Sequence, residues 1–355
     1  MNWLLLLTWL GIAQAISPPR GEARLGAERD VHRYHAWVRR QPVVSHPEHY
    51  RFMAEVHRDL SRLSRERPGV IIPMSIGRTV EKRDIWGFRI RDPARPIHRK
   101  VLVFAGIHPL EWISTETATA LAEELATHPI PGVEVVVVPA LNVDRRMMVE
   151  DDILDGRNVY RRTNMNKVDL NRDFAQNRTP RAIWRHIIPG YYASSPAPLS
   201  QPESQAIDRL LKEGFDVAVS LHAFGGFFYT PWSGLWKRPP DLKTYRRLGS
   251  VMAQAQGSHA YKTRQLSRWG FFFRAHGSEI DHIYGKYGTL AFLIELTRSG
   301  MNPLRPKTLR NHFRLYNPAQ PARHVDKGVS AIRALVGTLS KEGDAAPRRV
   351  PPRGD

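Results

Sequence analysis

The stretch Val101-Leu-Val-Phe-Ala-Gly-Ile-His108-Pro-Leu-Glu111-Trp112 restricts the fold more than any other part of the chain. Five successive apolar residues, Val101 to Ala105, lack polar alternation and read as a strand buried on both faces. Gly106 ends the run, and helix-like sequence follows from about Ser114 to Ala126. His108 and Glu111 therefore occupy a strand-to-helix loop, where open α/β sheets place their ligand sites. An imidazole and a carboxylate form a ligand pair suited to zinc. Alone the pair decides nothing, because a His and a Glu three apart more often mark a solvated loop. The rest of the chain has to supply the other parts.

Further buried strands are expected at Val133 to Pro139, Asp216 to Leu221 and Gly288 to Ile294, and two more strands at Val70 to Ile76 and Asp84 to Ile90. Helices are expected from His49 to Arg65, Gln201 to Gly214, Leu242 to Gln256 and Val325 to Leu339. In the first of these, Tyr50, Met53, Val56, Leu60 and Leu63 form one apolar stripe. Strands alternating with helices predict an α/β fold: a single-domain mixed, mostly parallel twisted sheet with helices on both faces. His222 follows one buried strand directly and Glu295 follows another. If those strands run parallel to the first, His108, His222 and Glu295 share one edge of the sheet. Residues 142–180 are rich in turn formers and read as a long loop, which in a compact domain usually means function. It contains Asp169-Leu170-Asn171-Arg172.

The ends differ from the middle. Leu4 to Ala13 is a short apolar run, and Ala13-Gln14-Ala15 fits a small-x-small cleavage site, so residues 1–15 read as a secretory signal. The run is too short to span a bilayer. Residues 16–44 read as a basic surface arm, 45–340 as the catalytic domain, and 341–355 as a disordered basic tail. The formal net charge is +19. Two readings of this charge stay open, a surface that is basic only for solubility and one that meets something acidic, such as an anionic wall or membrane surface touched by the arm and tail; no nucleic acid partner is expected. There is no Cys, which excludes thiol catalysis, disulfides and Cys-ligated metal. An exported chain without Cys fits a bacterial periplasm or exterior.

Two His and one Glu, His108, Glu111 and His222, give zinc three protein ligands and leave a fourth position open, as catalytic sites do. Such a zinc brings the pKa of a bound water to about 7 and polarises a carbonyl. Glu295, a charged residue directly after a strand that should be buried, is the candidate to take the water's proton. The competing reading is an ion pair with Arg298. The motifs of nucleophilic serine hydrolases, phosphate-binding loops, dinucleotide folds and H-E-x-x-H metalloproteases are absent.

These residues carry a resemblance to the zinc metallocarboxypeptidases of the carboxypeptidase A type. The matching stretches are His108-Pro-Leu-Glu111-Trp, Tyr160-Arg161-Arg162-Thr163, Val168-Asp169-Leu170-Asn171-Arg172, Ser220-Leu221-His222 and Ile294-Glu295-Leu296, in the family's order. The resemblance implies one zinc per chain on His108, Glu111 and His222, with Glu295 as general base. It implies that Asp169 orients the first zinc histidine, that Arg161 stabilises the oxyanion, and that Asn171 and Arg172 grip the substrate's terminal carboxylate. The implied substrate is a peptide with a free C-terminal carboxylate, or a cell-wall peptide.

Three positions depart from the family's pattern. Phe273 stands where a mobile substrate-binding tyrosine is usual, Leu110 where an arginine is frequent, and Phe224 at a phenolic position. Each makes the cleft more apolar. The specificity signals conflict. Ile280, at the pocket base, suggests apolar terminal side chains, whereas Arg268, Arg274 and His276 suggest acidic ones. Because the resemblance starts near Ser45, no long inhibitory pro-segment is expected. The alternatives to a peptide carboxypeptidase are a stem-peptide carboxypeptidase or amidase of the cell wall, and a non-catalytic relative that holds acidic peptides.

Overall fold

A computed structural model describes residues 20–41, 49–179, 182–187, 192–268, 274–298 and 310–342. In chain order the elements are α1 (Arg20–Val38), α2 (Met53–Glu66), β1 (Ile71–Arg78), β2 (Asp84–Ile90), β3 (Arg99–Ala105), α3 (Trp112–Thr127), β4 (Val133–Val138), α4 (Val143–Leu154), α5 (Trp184–Ile187), α6 (Pro202–Leu211), β5 (Val217–Ala223), β6 (Phe227–Thr230), α7 (Leu242–Gln256), β7 (Lys262–Gln265), α8 (Glu279–Tyr287), β8 (Leu290–Leu296), α9 (His312–Tyr316) and α10 (Ala322–Lys341).

The continuous apolar runs become the middle of one eight-stranded sheet, in the order β1-β2-β4-β3-β5-β8-β6-β7. Strands β4, β3, β5 and β8 are parallel neighbours. Antiparallel pairings flank them at β1–β2, β2–β4 and β8–β6. Successive strand residues point to opposite faces, and every residue from Val101 to Ala105 is buried. Both faces of the centre are therefore covered. Burying each such Val or Leu contributes about 1.5–3 kcal/mol. Helix α3 packs on β3 and β5, α10 on α3 and α7, and α8 on β8.

Gly106 explains how the first ligand loop leaves the sheet. Its φ is +67°, and a Cβ there would lie 2.9 Å from the Cα of Ala140. Only glycine tolerates that backbone at no steric cost. The close approach lets the exits of β3 and β4 bond to each other, with Leu141 N–H on Ala105 O (2.9 Å) and Asn142 N–H on Gly106 O (3.0 Å).

Several expectations change. The expected surface arm instead carries α1, whose Tyr34 is fully buried, 4.9 Å from the Trp86 ring and 5.3 Å from that of Phe88. The long loop after Asn142 begins with a regular helix, α4. Strands β6 and β7 were not expected from sequence. Strand β5 runs through His222 to Ala223 rather than ending at Leu221, and His222 pairs directly with Glu295 of β8. Residues 1–15 lie outside the described residues, as does the tail from 343 onward. Among the described residues no helix is long and apolar enough to cross a membrane.

Candidate metal centre and substrate cleft

The parallel strands β3, β5 and β8 deliver their C-terminal ends to one edge of the sheet, and the ligand residues meet there. His108 lies in the loop after β3, Glu111 caps the start of α3, and His222 projects from β5. Their ligand atoms all lie within 4.8 Å of one another, and all three residues are buried. The Nδ1 atoms of His108 and His222 are 3.2 Å apart. Glu111 bridges them, with Oε1 2.8 Å from His108 Nδ1 and Oε2 3.1 Å from His222 Nδ1. Zinc–ligand bonds of about 2.0–2.1 Å in a tetrahedron put neighbouring ligand atoms roughly 3.3 Å apart. The donor set and its spacing thus fit a divalent zinc.

The electrostatics agree. Burial alone would raise the Glu111 carboxyl, but the two imidazoles outweigh it and hold it well below the usual range. Burial opposes charge on His222, yet Glu111 and then Glu279 pull its pKa up to about 10. The centre of the triad is a place that favours positive charge.

Each imidazole is held from behind at Nε2. For His108 the partner is Asp169, with Oδ1 at 3.1 Å. Asp169 is fully buried and also accepts from Arg162 Nε at 2.8 Å and from the Asn171 N–H at 3.0 Å. For His222 the partners are Glu279 Oε1 and Ser220 Oγ, both at 3.0 Å. Metal-ligating histidines characteristically donate their second ring nitrogen to such a carboxylate.

Glu295 stands beside the triad, opposite His222 in the ladder. Its Oε2 is buried without a hydrogen-bond partner. Burial first, and the negative charge of Glu111 second, push its pKa up to about 8. Arg298, the alternative ion-pair partner, is solvent-exposed.

Of the arginines, Arg161 turns away from the triad. Its Nε pairs closely with Asp152, and its Nη2 donates to the same carboxylate at 2.9 Å. The neighbouring Arg162 faces inward. Burial works against its charge, but Asp169 more than compensates, and Glu111 adds to the effect. Arg162 thus lies on Asp169, the partner of His108, while Arg161, the residue expected to stabilise the oxyanion, is engaged by Asp152.

Asn171 and Arg172 sit in a short 3-10 turn and are both buried. The Arg172 guanidinium lies 4.9 Å from the Tyr192 ring centroid and donates from Nη1 to Asn171 O at 2.5 Å. Its Nε is buried with no partner. Burial lowers its pKa.

Arg268 and Arg274 are turned onto Trp236, 4.3 and 4.6 Å from its ring centroid. Arg268 Nη2 donates to Trp236 O and Arg274 Nη1 to Ser267 O. His276 Nδ1 is 3.2 Å from Asn177 O. Ile280, in the first turn of α8, is fully buried. Phe273 lies outside the described residues. Leu110 is buried, and Phe224 packs 5.6 Å from the Tyr316 ring. Tyr316, whose hydroxyl is 3.3 Å from that of Tyr160, was not foreseen, and neither was Glu279.

Comparison with known proteins follows the same lines. A sequence profile described as zinc carboxypeptidase matches residues 56–315. Carboxypeptidase A4 of Mus musculus is 22% identical over 273 residues, covering 71% of this chain and 63% of that protein. Carboxypeptidase D of Anas platyrhynchos is 26% identical over 221 residues, 58% of this chain and 15% of that protein. The chain thus spans less than two thirds of these relatives' own length. Among solved structures, bovine thrombin-activatable fibrinolysis inhibitor, in complex with tick carboxypeptidase inhibitor, superposes with a TM-score of 0.65 at 18% identity, covering 82% of this chain and 98% of that one. The carboxypeptidase A of Helicoverpa armigera gives 0.62 at 18% identity, covering 89% and 81%.

Proposed function

Because the chain belongs to the zinc carboxypeptidase family, we propose that it hydrolyses the C-terminal peptide bond of peptides at a single zinc held by His108, Glu111 and His222. The observation that carries the exopeptidase reading is the buried Arg172, whose Nε has no partner. A buried guanidinium left short of partners calls for an anion. A peptide's terminal carboxylate fits its fork bidentately, and Asn171 lies beside it. In this reading the last residue is anchored there and the bond before it is the one presented to the triad.

Zinc supplies there an acidified water and a polarised carbonyl. Glu295 accepts the water's proton on Oε2 and returns it to the departing amine. Burial and the negative charge of Glu111 hold its carboxyl high without a cation, and a divalent cation on the triad would lower it towards the range of a base. Arg162 provides the fixed positive charge against which the carbonyl oxygen becomes negative. It takes the role expected of Arg161.

For the terminal side chain we favour an apolar group. Ile280 is apolar, while Arg268, Arg274 and His276 already engage backbone carbonyls or Trp236. The N-terminal apolar run and the lack of Cys support an exported enzyme. Contact of its basic surface with an anionic wall or membrane is part of the same proposal.

The test is turnover of N-blocked dipeptides with apolar, basic and acidic terminal residues, and of wall muropeptides, at one zinc per chain. Turnover of the free-acid apolar peptides should vanish with chelator and return with zinc. A zinc-loaded protein that cleaves none of these substrates would refute the proposal.

A further inference from the structure

Glu279 has no part in the reaction above, yet its side chain is fully buried. A buried carboxylate costs several kcal/mol unless it is paired and hydrogen-bonded. Here both of its oxygens are used. Oε1 is 3.0 Å from His222 Nε2, and Oε2 accepts from Ser278 Oγ at 3.2 Å. Glu279 is also the first residue of α8, where the helix dipole favours a negative group.

The arrangement repeats on the second histidine what Asp169 does for the first. We propose that Glu279 is a positioning residue that fixes the tautomer and ring plane of His222, so that both metal-facing imidazoles are backed by buried carboxylates. The inference rests on the metal-site reading above. An ionised carboxylate only accepts hydrogen bonds, so facing Glu279 puts the ring proton on Nε2. The lone pair is then left on Nδ1, the atom that faces Glu111 and His108. Ser220 Oγ lies at the same 3.0 Å, but a hydroxyl donates as readily as it accepts and selects neither tautomer. Glu279 also donates its own N–H to Asn171 Oδ1 at 3.4 Å. The start of α8 thereby ties the second ligand to the turn that carries Arg172.

The test is zinc affinity, measured by competition with a chromophoric chelator, for wild type, Glu279→Gln and Ser220→Ala. Glu279→Gln should lose roughly 10- to 100-fold in affinity, as when other partners of this kind are removed. Ser220→Ala should stay within about threefold of wild type, less than the span set for a carboxylate partner. A Glu279→Gln protein that folds and binds zinc as wild type does would overturn the inference while leaving the metal site standing. Wild type that binds no zinc would overturn both. If Glu279→Gln does not fold, cobalt-substituted wild type still decides. Two hyperfine-shifted imidazole N–H signals protected from solvent support the inference, and a single protected signal overturns it.

Discussion

Arg172 allows the substrate reading to be weighed in energy. In the free protein its guanidinium is buried, with one hydrogen bond to Asn171 O, the Tyr192 face and an unpartnered Nε. The desolvation cost is therefore met on folding rather than on binding. A carboxylate arriving at that fork adds a charge-assisted pair in a desolvated place, and coupling energies for close pairs of this kind run from about 1.5 to 7 kcal/mol. The nearby charge of Asp169 already compensates Arg172 in part, which argues for the lower half, about 2–4 kcal/mol. Each 1.4 kcal/mol is a factor of about ten, so amidating the C-terminus should lower kcat/KM roughly 30- to 1,000-fold. Arg172→Ala should cost a similar factor on the free acid and little more on the amide, because both changes remove one interaction. The assay is a four-way comparison of kcat/KM, wild type and Arg172→Ala against acid and amide. Equal losses from amidation in both proteins would show that Arg172 does not read the peptide's end, and the reasoning from its unpartnered Nε would fail.

The two adjacent arginines give a second test. Arg162→Ala should reduce kcat about 100- to 1,000-fold if it faces the developing oxyanion, whereas Arg161→Ala should fall by less than tenfold; the reverse order in steady-state kinetics would restore Arg161 to that place. Glu295→Gln should keep one zinc, by metal analysis, while turnover drops about 100-fold or more; wild-type rates would put the base elsewhere. His57 is a residue of α2 buried against Tyr34 and Trp37 of α1, and burial lowers its pKa from 6.5 to about 3. Its folded-state pKa lies below the unfolded one, so its neutral form is favoured on folding, and stability should fall as pH drops from about 6.5 towards 3, by up to about 1.4 kcal/mol per pH unit. Urea midpoints measured across that range should fall less steeply for His57→Gln; parallel curves would contradict it.

The central strands were legible because burial on both faces leaves an unbroken apolar run, as in Val101 to Ala105. The His and Glu residues at their ends were legible for the same reason: a polar residue at such a boundary has nowhere bland to go. What escaped notice has physical causes too. Asn142 and Asp144 were read as turn formers, but residues of this type also start helices, and here they begin α4. Helix α1 places few apolar residues before Tyr34, so its pattern is faint. Strand β7, Lys-Thr-Arg-Gln, is a polar strand at the end of the sheet, paired among the described residues only with β6, with no alternation to read. Arg161 and Arg162 are indistinguishable by type, and only the irregular backbone around them decides which one turns inward. Glu279 precedes Ile280 at the expected pocket base, and nothing local marks it as the partner of a histidine 57 positions earlier.

The direct pairing of His222 with Glu295 across β5 and β8 has a consequence for how the protein matures. Strand side chains alternate with period two, so a slip of one residue between these strands would turn one of the two to the opposite face. His108 is a further 114 residues upstream of His222, and closing loops of this length is slow compared with forming local helices. The pair His108 and Glu111 is local, but His222 joins it only once β3 and β5 are paired. During refolding, zinc uptake should be among the last events to finish, and a retained ion would certify that the long-range register was closed correctly.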